Sequence, residues 1–201
     1  MHAAVLLLSL VVSVVAVVVL YWTKKKDEAL QRERITFESY TRLYPTVGQL
    51  WRRVSDLAQI VNETDPILLD VEDDELRRRW YSSVSAIGPL RSALAETVFR
   101  LGSEYEALRA LFPDASVHVD AISQAKDEVL RCLGELHDIA KLQPVDGEGQ
   151  GSRGTNNELE LARAESAAAL QKLLVQASLL NKTLAAVALG NRRAIGMRTV
   201  N

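Results

Sequence analysis

The sequence has little of what disulfide-bonded, nucleic-acid-binding or strand-rich proteins need. Its only cysteine is Cys132, whereas a secreted domain held by disulfides would need an even set. The formal net charge is −2, without the basic excess typical of nucleic-acid binding, so we expect no nucleic-acid partner. No segment alternates apolar and polar residues as a strand does, which excludes most nucleotide-binding folds.

Patterns of enzyme chemistry are missing as well. One cysteine and the two scattered histidines of the body, His118 and His137, cannot form a closed zinc site. Neither histidine follows a glutamate by three residues, which is the spacing of di-metal sites in helical bundles. The glycine-rich stretch 143–156 has no Gly-Lys-Ser/Thr ending and no preceding strand, so it is not a phosphate loop. We expect no enzyme activity, catalytic residue, metal or cofactor.

One long apolar run dominates what is present. Residues 3–22 contain no charged side chain and only Ser9 and Ser13 as polar members. At about 1.5 Å per helical residue the run spans roughly 30 Å, the thickness of a bilayer's hydrocarbon core. It ends at Tyr21 and Trp22, whose rings suit the lipid–water interface. The run therefore predicts a transmembrane helix. A cleaved signal peptide is the alternative, but it would have a basic start and a small-residue cleavage site.

Charge next to the run predicts its orientation. Lys24, Lys25 and Lys26 follow it directly, and no lysine or arginine precedes it. Because basic flanks are retained in the cytoplasm, we expect the N-terminus outside the cell membrane and the body in the cytoplasm.

Apolar residues at alternating steps of three and four predict four long helices after the run. The first extends to about residue 62, with a kink at Pro45. Its predicted core seam is Phe37, Tyr40, Tyr44, Val47, Trp51, Val54, Ala58 and Val61, with Leu43, Leu50 and Leu57 beside it.

The other three helices follow the same pattern. The second carries Trp80 on its seam and has a kink or a short break at Gly88-Pro89. The third carries Cys132 on its seam, where a small buried apolar residue is the expected role. The fourth begins near Asn157 and ends at Gly190, a plausible C-terminal cap.

The predicted fold class is all-α: a single N-terminal transmembrane helix followed by an antiparallel bundle of about four long helices. The predicted divisions are the anchor (1–23), helices one to three (24–142), a flexible glycine-rich loop (143–156), and the fourth helix with a basic tail (157–201).

Two charged groups are candidate sites. The tail arginines would lie beside the lysines near the anionic cytoplasmic leaflet, or would only complement the last helix dipole. The membrane-flanking candidates are Tyr21, Trp22, Lys24, Lys25, Lys26, Arg192, Arg193 and Arg198. An acidic group would lie at the end of the bundle far from lipid and face a partner. It consists of Asp70, Glu72, Asp73, Asp74 and Glu75. These carboxylates lack the alternating-oxygen loop of a calcium site.

These features predict a single-pass membrane-anchored helical adaptor or scaffold. It would present a coiled-coil-like bundle at the cytoplasmic membrane face and bind an unidentified protein. A homo-oligomer is a further prediction, since Ser9, Ser13 and Ala16 form a small-residue face that would let two spans approach; a serine pair without a partner is the alternative. The alternative function is an extracytoplasmic helical sensor or ligand-binding bundle.

Overall fold

The computed structural model describes residues 2–65, 74–142 and 153–196, and the side chains of 13–65, 74–142 and 156–190. It has four helices, α1 (His2–Glu63), α2 (Asp74–Glu106), α3 (Ser116–Lys141) and α4 (Arg153–Gly196), and a 3-10 turn (Pro113–Ala115) before α3. No strand occurs in the described ranges. The prediction of an all-α protein is therefore confirmed.

The apolar run and the first bundle helix form one continuous helix, α1. It has 62 residues, which corresponds to about 93 Å at 1.5 Å per residue. Pro45 lies inside α1 without splitting it, and Pro89 lies inside α2 without the short break that was one alternative. Leu43 and Val47 are buried on either side of Pro45, so packing on both sides keeps the helix in phase.

The helices form an antiparallel bundle. The Thr46 hydroxyl of α1 donates a hydrogen bond to the Glu104 carboxylate near the end of α2, at 2.6 Å. Arg163, near the start of α4, donates to the Val61 carbonyl near the end of α1, at 3.2 Å. Among the described residues α1 and α3 each pack against α2 and α4, and no Cα atoms of a diagonal pair lie within 8 Å of each other. The cross-section is therefore a ring of four helices around one core.

The core stripe of α1 differs from its predicted seam. Leu43, Leu50 and Leu57 are fully buried, but Trp51 is 39% exposed and Tyr44 53% exposed. The prediction that Trp51 is a core residue is wrong, whereas the same prediction for Trp80, which is 0% exposed, is confirmed. The sequence places two apolar stripes side by side on α1, and the positions of α2 and α4 decide which one faces the core.

The limits of α4 also differ from prediction. The helix begins at Arg153, four residues before Asn157, and continues through Gly190 to Gly196. Residues 153–156 are therefore helical, and the rest of the predicted flexible loop lies outside the described residues. Gly190 does not end the helix because its φ is not positive, so it has none of the left-handed geometry of a C-terminal glycine cap.

A further correction concerns where the described chain has a helix able, by length and composition, to cross a membrane. Among the described side chains, the one stretch long and apolar enough by length and composition is Asn156–Gly190, at the C-terminal end, whereas the sequence analysis placed the crossing at the N-terminal end. This stretch is rich in alanine and leucine, which also suit a helix packed in a bundle. Of its most apolar part, 28% is buried. Residues before Ser13 are not included in this finding, because their side chains are not described.

Candidate functional site

The first surface is a collar of apolar side chains on α1, formed by residues 14–22. Its large members are all between 49% and 72% exposed. Because successive helical residues are turned by about 100°, nine consecutive residues cover the whole circumference. The Thr23 hydroxyl below the collar donates to the Val19 carbonyl at 2.7 Å, so its donor is satisfied within the helix. Soluble monomers rarely expose an apolar patch of more than a few hundred Å².

The collar projects beyond the bundle. The first fully packed α1 side chain is Thr36, so residues 13–35 extend as a helix of about 34 Å without a buried residue. Tyr21, Trp22 and the lysines Lys24, Lys25 and Lys26 are exposed on this projection. Tyr21 and Trp22 therefore end the collar, and the lysines follow it on the side nearer the bundle.

The predicted tail lies only partly within the described chain. Arg192 and Arg193 belong to α4, but their side chains are not described, and Arg198 lies outside the described residues. Counting along the antiparallel pair from the Arg163 contact with Val61 places residues 192–193 level with about residues 31–32 of α1. This level is roughly 10 Å along the axis from the lysines.

The acidic end is also described in part. Asp70, Glu72 and Asp73 lie outside the described residues, while Asp74 and Glu75 form the exposed first turn of α2. Carboxylates at this position stabilise the positive end of the helix dipole.

Glu63 and Asp65, at the same end, hold helices together. Ser83 of α2 donates to the Glu63 carboxylate at 2.7 Å, and Gln59 donates at 3.0 Å. Hydrogen bonds from Gln59 and Ser83, with the nearby Arg79 guanidinium, lower the pKa of Glu63. Asp65 forms an ion pair with Arg163 of α4 at 3.1 Å. These two carboxylates therefore stabilise the fold rather than face a partner.

A polar groove between α1 and α2 was missed by the sequence analysis. It has a volume of about 430 Å³ and carries three arginines, Arg52, Arg53 and Arg100, with two carboxylates, Asp56 and Glu96. Within the described chain none of the three guanidinium groups forms an ion pair or hydrogen bond. A carboxylate-bearing ligand or peptide would find unpaired donors there. No sequence signal marks the groove, because Arg100 lies far along the chain from Arg52.

Cys132 is buried, and His118 and His137 are partly buried. Burial raises the pKa of the Cys132 thiol, which keeps it protonated, and its 2% exposure confirms the predicted core position. Burial, with Lys141 nearby, lowers the pKa of His137. His118 lies 3.5 Å from the Gln176 amide oxygen. The described residues contain no group of three or more histidine, cysteine or acidic side chains able to hold a metal.

Comparison of the chain with protein-family models, with curated proteins and with solved structures found no match.

Proposed function

We propose that this protein is a single-pass membrane-anchored helical adaptor or scaffold, with the N-terminal part of α1 as its anchor. The observation that carries the proposal is the collar, which is apolar on every side of the helix and covered by no described part of the bundle. Burying each large apolar side chain is worth about 1.5–3 kcal/mol, so the collar gains substantially from entering lipid. The same helix then leads directly into the bundle and holds it at the membrane.

The proposed orientation has the N-terminus outside and the bundle in the cytoplasm. Its support is the exposed lysine group at 24–26, which directly follows the collar. In this orientation the acidic first turn of α2 lies at the end of the bundle away from lipid. The groove at Arg52, Arg53 and Arg100 then faces the cytoplasm from the side of the bundle, where it offers donors to an acidic segment of a protein partner.

An accessibility experiment tests which helix crosses the membrane. In a Cys132→Ala background, single cysteines replace Asn156 and Gly190 at the two ends of the apolar part of α4. If α1 is the anchor, an impermeant thiol reagent added outside intact cells labels neither cysteine, and both react after lysis. Labelling of one end only would show that α4 crosses the membrane. Labelling of both from outside would reverse the proposed orientation.

The groove also favours a second candidate, the extracytoplasmic ligand-binding bundle. Its volume of about 430 Å³ lies within the usual range of ligand sites, and its unpaired arginines would select an anionic ligand. The reversed labelling pattern would support this candidate. So would saturable binding of a small dicarboxylate by the wild-type chain that is lost in Arg52→Gln/Arg100→Gln.

A further inference from the structure

A second pattern on α1 follows the core stripe by one residue. Large side chains recur every seven residues, at Leu30, Phe37, Tyr44 and Trp51. A smaller residue lies four positions after each of the last three, at Thr41, Gly48 and Ser55. We name this set the α1 stripe: Leu30, Phe37, Thr41, Tyr44, Gly48, Trp51 and Ser55. Tyr44 and Trp51 each directly follow a buried leucine, so the stripe is turned by about 100° from the core.

Five of the seven stripe residues are exposed, and Phe37 and Gly48 are half-buried. Leu30 is 41% exposed, and Tyr44 and Trp51, at 53% and 39%, rank among the large exposed apolar residues of the described chain. The Tyr40 and Tyr44 rings lie 5.7 Å apart, which keeps the Tyr44 ring against the helix. The stripe therefore presents an aromatic edge that the bundle leaves partly uncovered.

Gly48 forms an open notch between two of these rings. A Cβ atom added at Gly48 would meet no heavy atom within 4 Å, and the backbone there does not have positive φ. Neither the packing nor the backbone of the described chain requires glycine at this mid-helix position, where glycine is less favourable than alanine. A side chain from another molecule would fill this space as a knob fills a hole in a coiled coil.

We propose that a second copy of this chain packs in parallel along the α1 stripe. Large and small residues alternating in a strict seven-residue repeat can form knobs and holes with the same repeat on an identical helix, in a left-handed supercoil. Arg34 holds the stripe position before Thr41, and its charge is paired with Glu38 at 2.8 Å. The contact therefore does not bury an unpaired charge at that position.

The parallel direction rests on the proposed function, because anchors in one bilayer fix both N-termini on the same side. Continued toward the N-terminus, the same seven-residue phase passes through Thr23, Ala16 and Ser9. Ala16 and Ser9 belong to the small-residue face of the proposed span, where close approach of two helices is favoured. One helix face would thus run from the span into the bundle.

The size of the contact explains why the anchor matters. From Leu30 to Ser55 the stripe is about 38 Å long, and a helix is about 10 Å wide, which gives a footprint of roughly 400 Å². A stable interface uses about 800 Å² per partner. The remaining stability of the dimer must come from contacts between the two spans and from the high effective concentration of two copies in one membrane. The dimer is therefore expected of the full chain in its membrane.

Cysteine cross-linking of the full-length protein in membranes tests the proposal. In the Cys132→Ala background, single cysteines replace Thr41, Gly48 and Ser55 on the stripe. Matched controls replace Arg42, Gln49 and Asp56, each one residue later, exposed, and turned by about 100°. A disulfide needs Cα atoms closer than about 7 Å. All three stripe positions are expected to give a disulfide-linked dimer, and the controls none.

Other cross-linking patterns overturn the proposal. No dimer at the stripe, or equal dimer at stripe and control positions, removes the interface. Dimer at Gly48 alone indicates an antiparallel pair and removes the parallel arrangement.

A substitution at the notch gives a second readout. Gly48→Leu is expected to abolish cross-linking at Thr41 and Ser55. Gly102→Leu, at a glycine near the C-terminal end of α2 with equally open space, is expected to leave it unchanged. Persistence of cross-linking in Gly48→Leu, or an equal loss in both variants, contradicts the proposal.

Alkaline extraction of the same membranes separates this proposal from the anchor. If the cross-linked protein is extracted, α1 is not a membrane anchor, but the contact along the α1 stripe stands. If the protein resists extraction but does not cross-link, the membrane anchor stands and the proposed dimer is wrong.

Discussion

The two parts of α1 show what one continuous helix does in two surroundings. From residue 14 to 22 its side chains are apolar and exposed on every side, whereas from Thr36 onward only one stripe is buried and the opposite face is polar. Apolar residues on all sides of a helix suit a surrounding solvent of lipid, and apolar residues confined to one side suit a bundle with water on the other side. Under the proposed function the environment of the same helix changes over about a dozen residues, and the four predictions below test where that change lies.

The largest effect is expected from charges placed in the projecting part. Val14→Arg with Val15→Arg should release the chain from membranes, because each arginine near the centre of a span costs about 2.5–3.5 kcal/mol. Ile35→Arg is the control, since Ile35 is 50% exposed on the same helix but lies below the lysines. Alkaline extraction measures the difference. Full membrane retention of the double variant would place the change of environment elsewhere.

Two neighbouring residues sharpen the comparison inside the bundle. Leu50 is fully buried, and Leu50→Ala should lower the free energy of unfolding by about 2–5 kcal/mol. Trp51→Ala should cost less than Leu50→Ala despite the larger side chain, because Trp51 lies partly outside the core. Trp80→Ala, at a buried tryptophan, should cost about 3–5 kcal/mol. Chemical denaturation in detergent measures all three. A cost for Trp51→Ala as large as that for Trp80→Ala would contradict the observed core stripe.

The far end of the bundle should respond to pH. The pKa of Glu63 is lowered in the folded state, so its contribution to stability is complete above its ordinary pKa of 4.5 and is lost as the pH falls through the lower folded value. Glu63→Gln should therefore reduce stability at neutral pH and weaken its decrease in acid. Thermal unfolding between about pH 3 and pH 7 measures this. Glu106→Gln is the control, because Glu106 forms an exposed ion pair with Arg109 of its own chain segment at 3.3 Å. Equal pH profiles of wild type and Glu63→Gln would refute the role of Glu63.

The smallest effect concerns the notch. Gly48→Ala should raise the free energy of unfolding of the monomer by roughly 0.5–1 kcal/mol, because alanine loses less backbone entropy and its Cβ has open space. Gly134→Ala is the contrast, since the added Cβ would lie 3.1 Å from the Arg91 guanidinium. Denaturation at a protein concentration that keeps the chain monomeric separates the two variants. A loss of stability in Gly48→Ala would show that its surroundings are not open.

Periodicity alone was enough to predict the helices and most of the core. Steps of three and four put Val47, Val54, Trp80 and Cys132 on helical seams, and all four are buried. The prediction from periodicity failed at Trp51 because α1 has two adjacent apolar stripes. The local sequence does not show which of the two faces α2 and α4. It also placed the start of α4 too late, since the glycines near residue 153 disfavour a helix that the structure nonetheless extends to Arg153.

The candidate surfaces divide in the same way. The collar and its lysines are contiguous in sequence, so composition identifies them directly. The groove at Arg52, Arg53 and Arg100 could not be predicted, because it exists only where α2 returns antiparallel beside α1.

The sequence by itself determined the all-helical architecture and the amphipathic character of each bundle helix, because these follow from the spacing of apolar residues along a helix of 3.6 residues per turn. Only the tertiary structure decided which α1 stripe is buried and that Glu63 and Asp65 join helices. The physical reason is that a helix fixes the angle between its own side chains, but the direction of the core is set by neighbours that are distant in sequence.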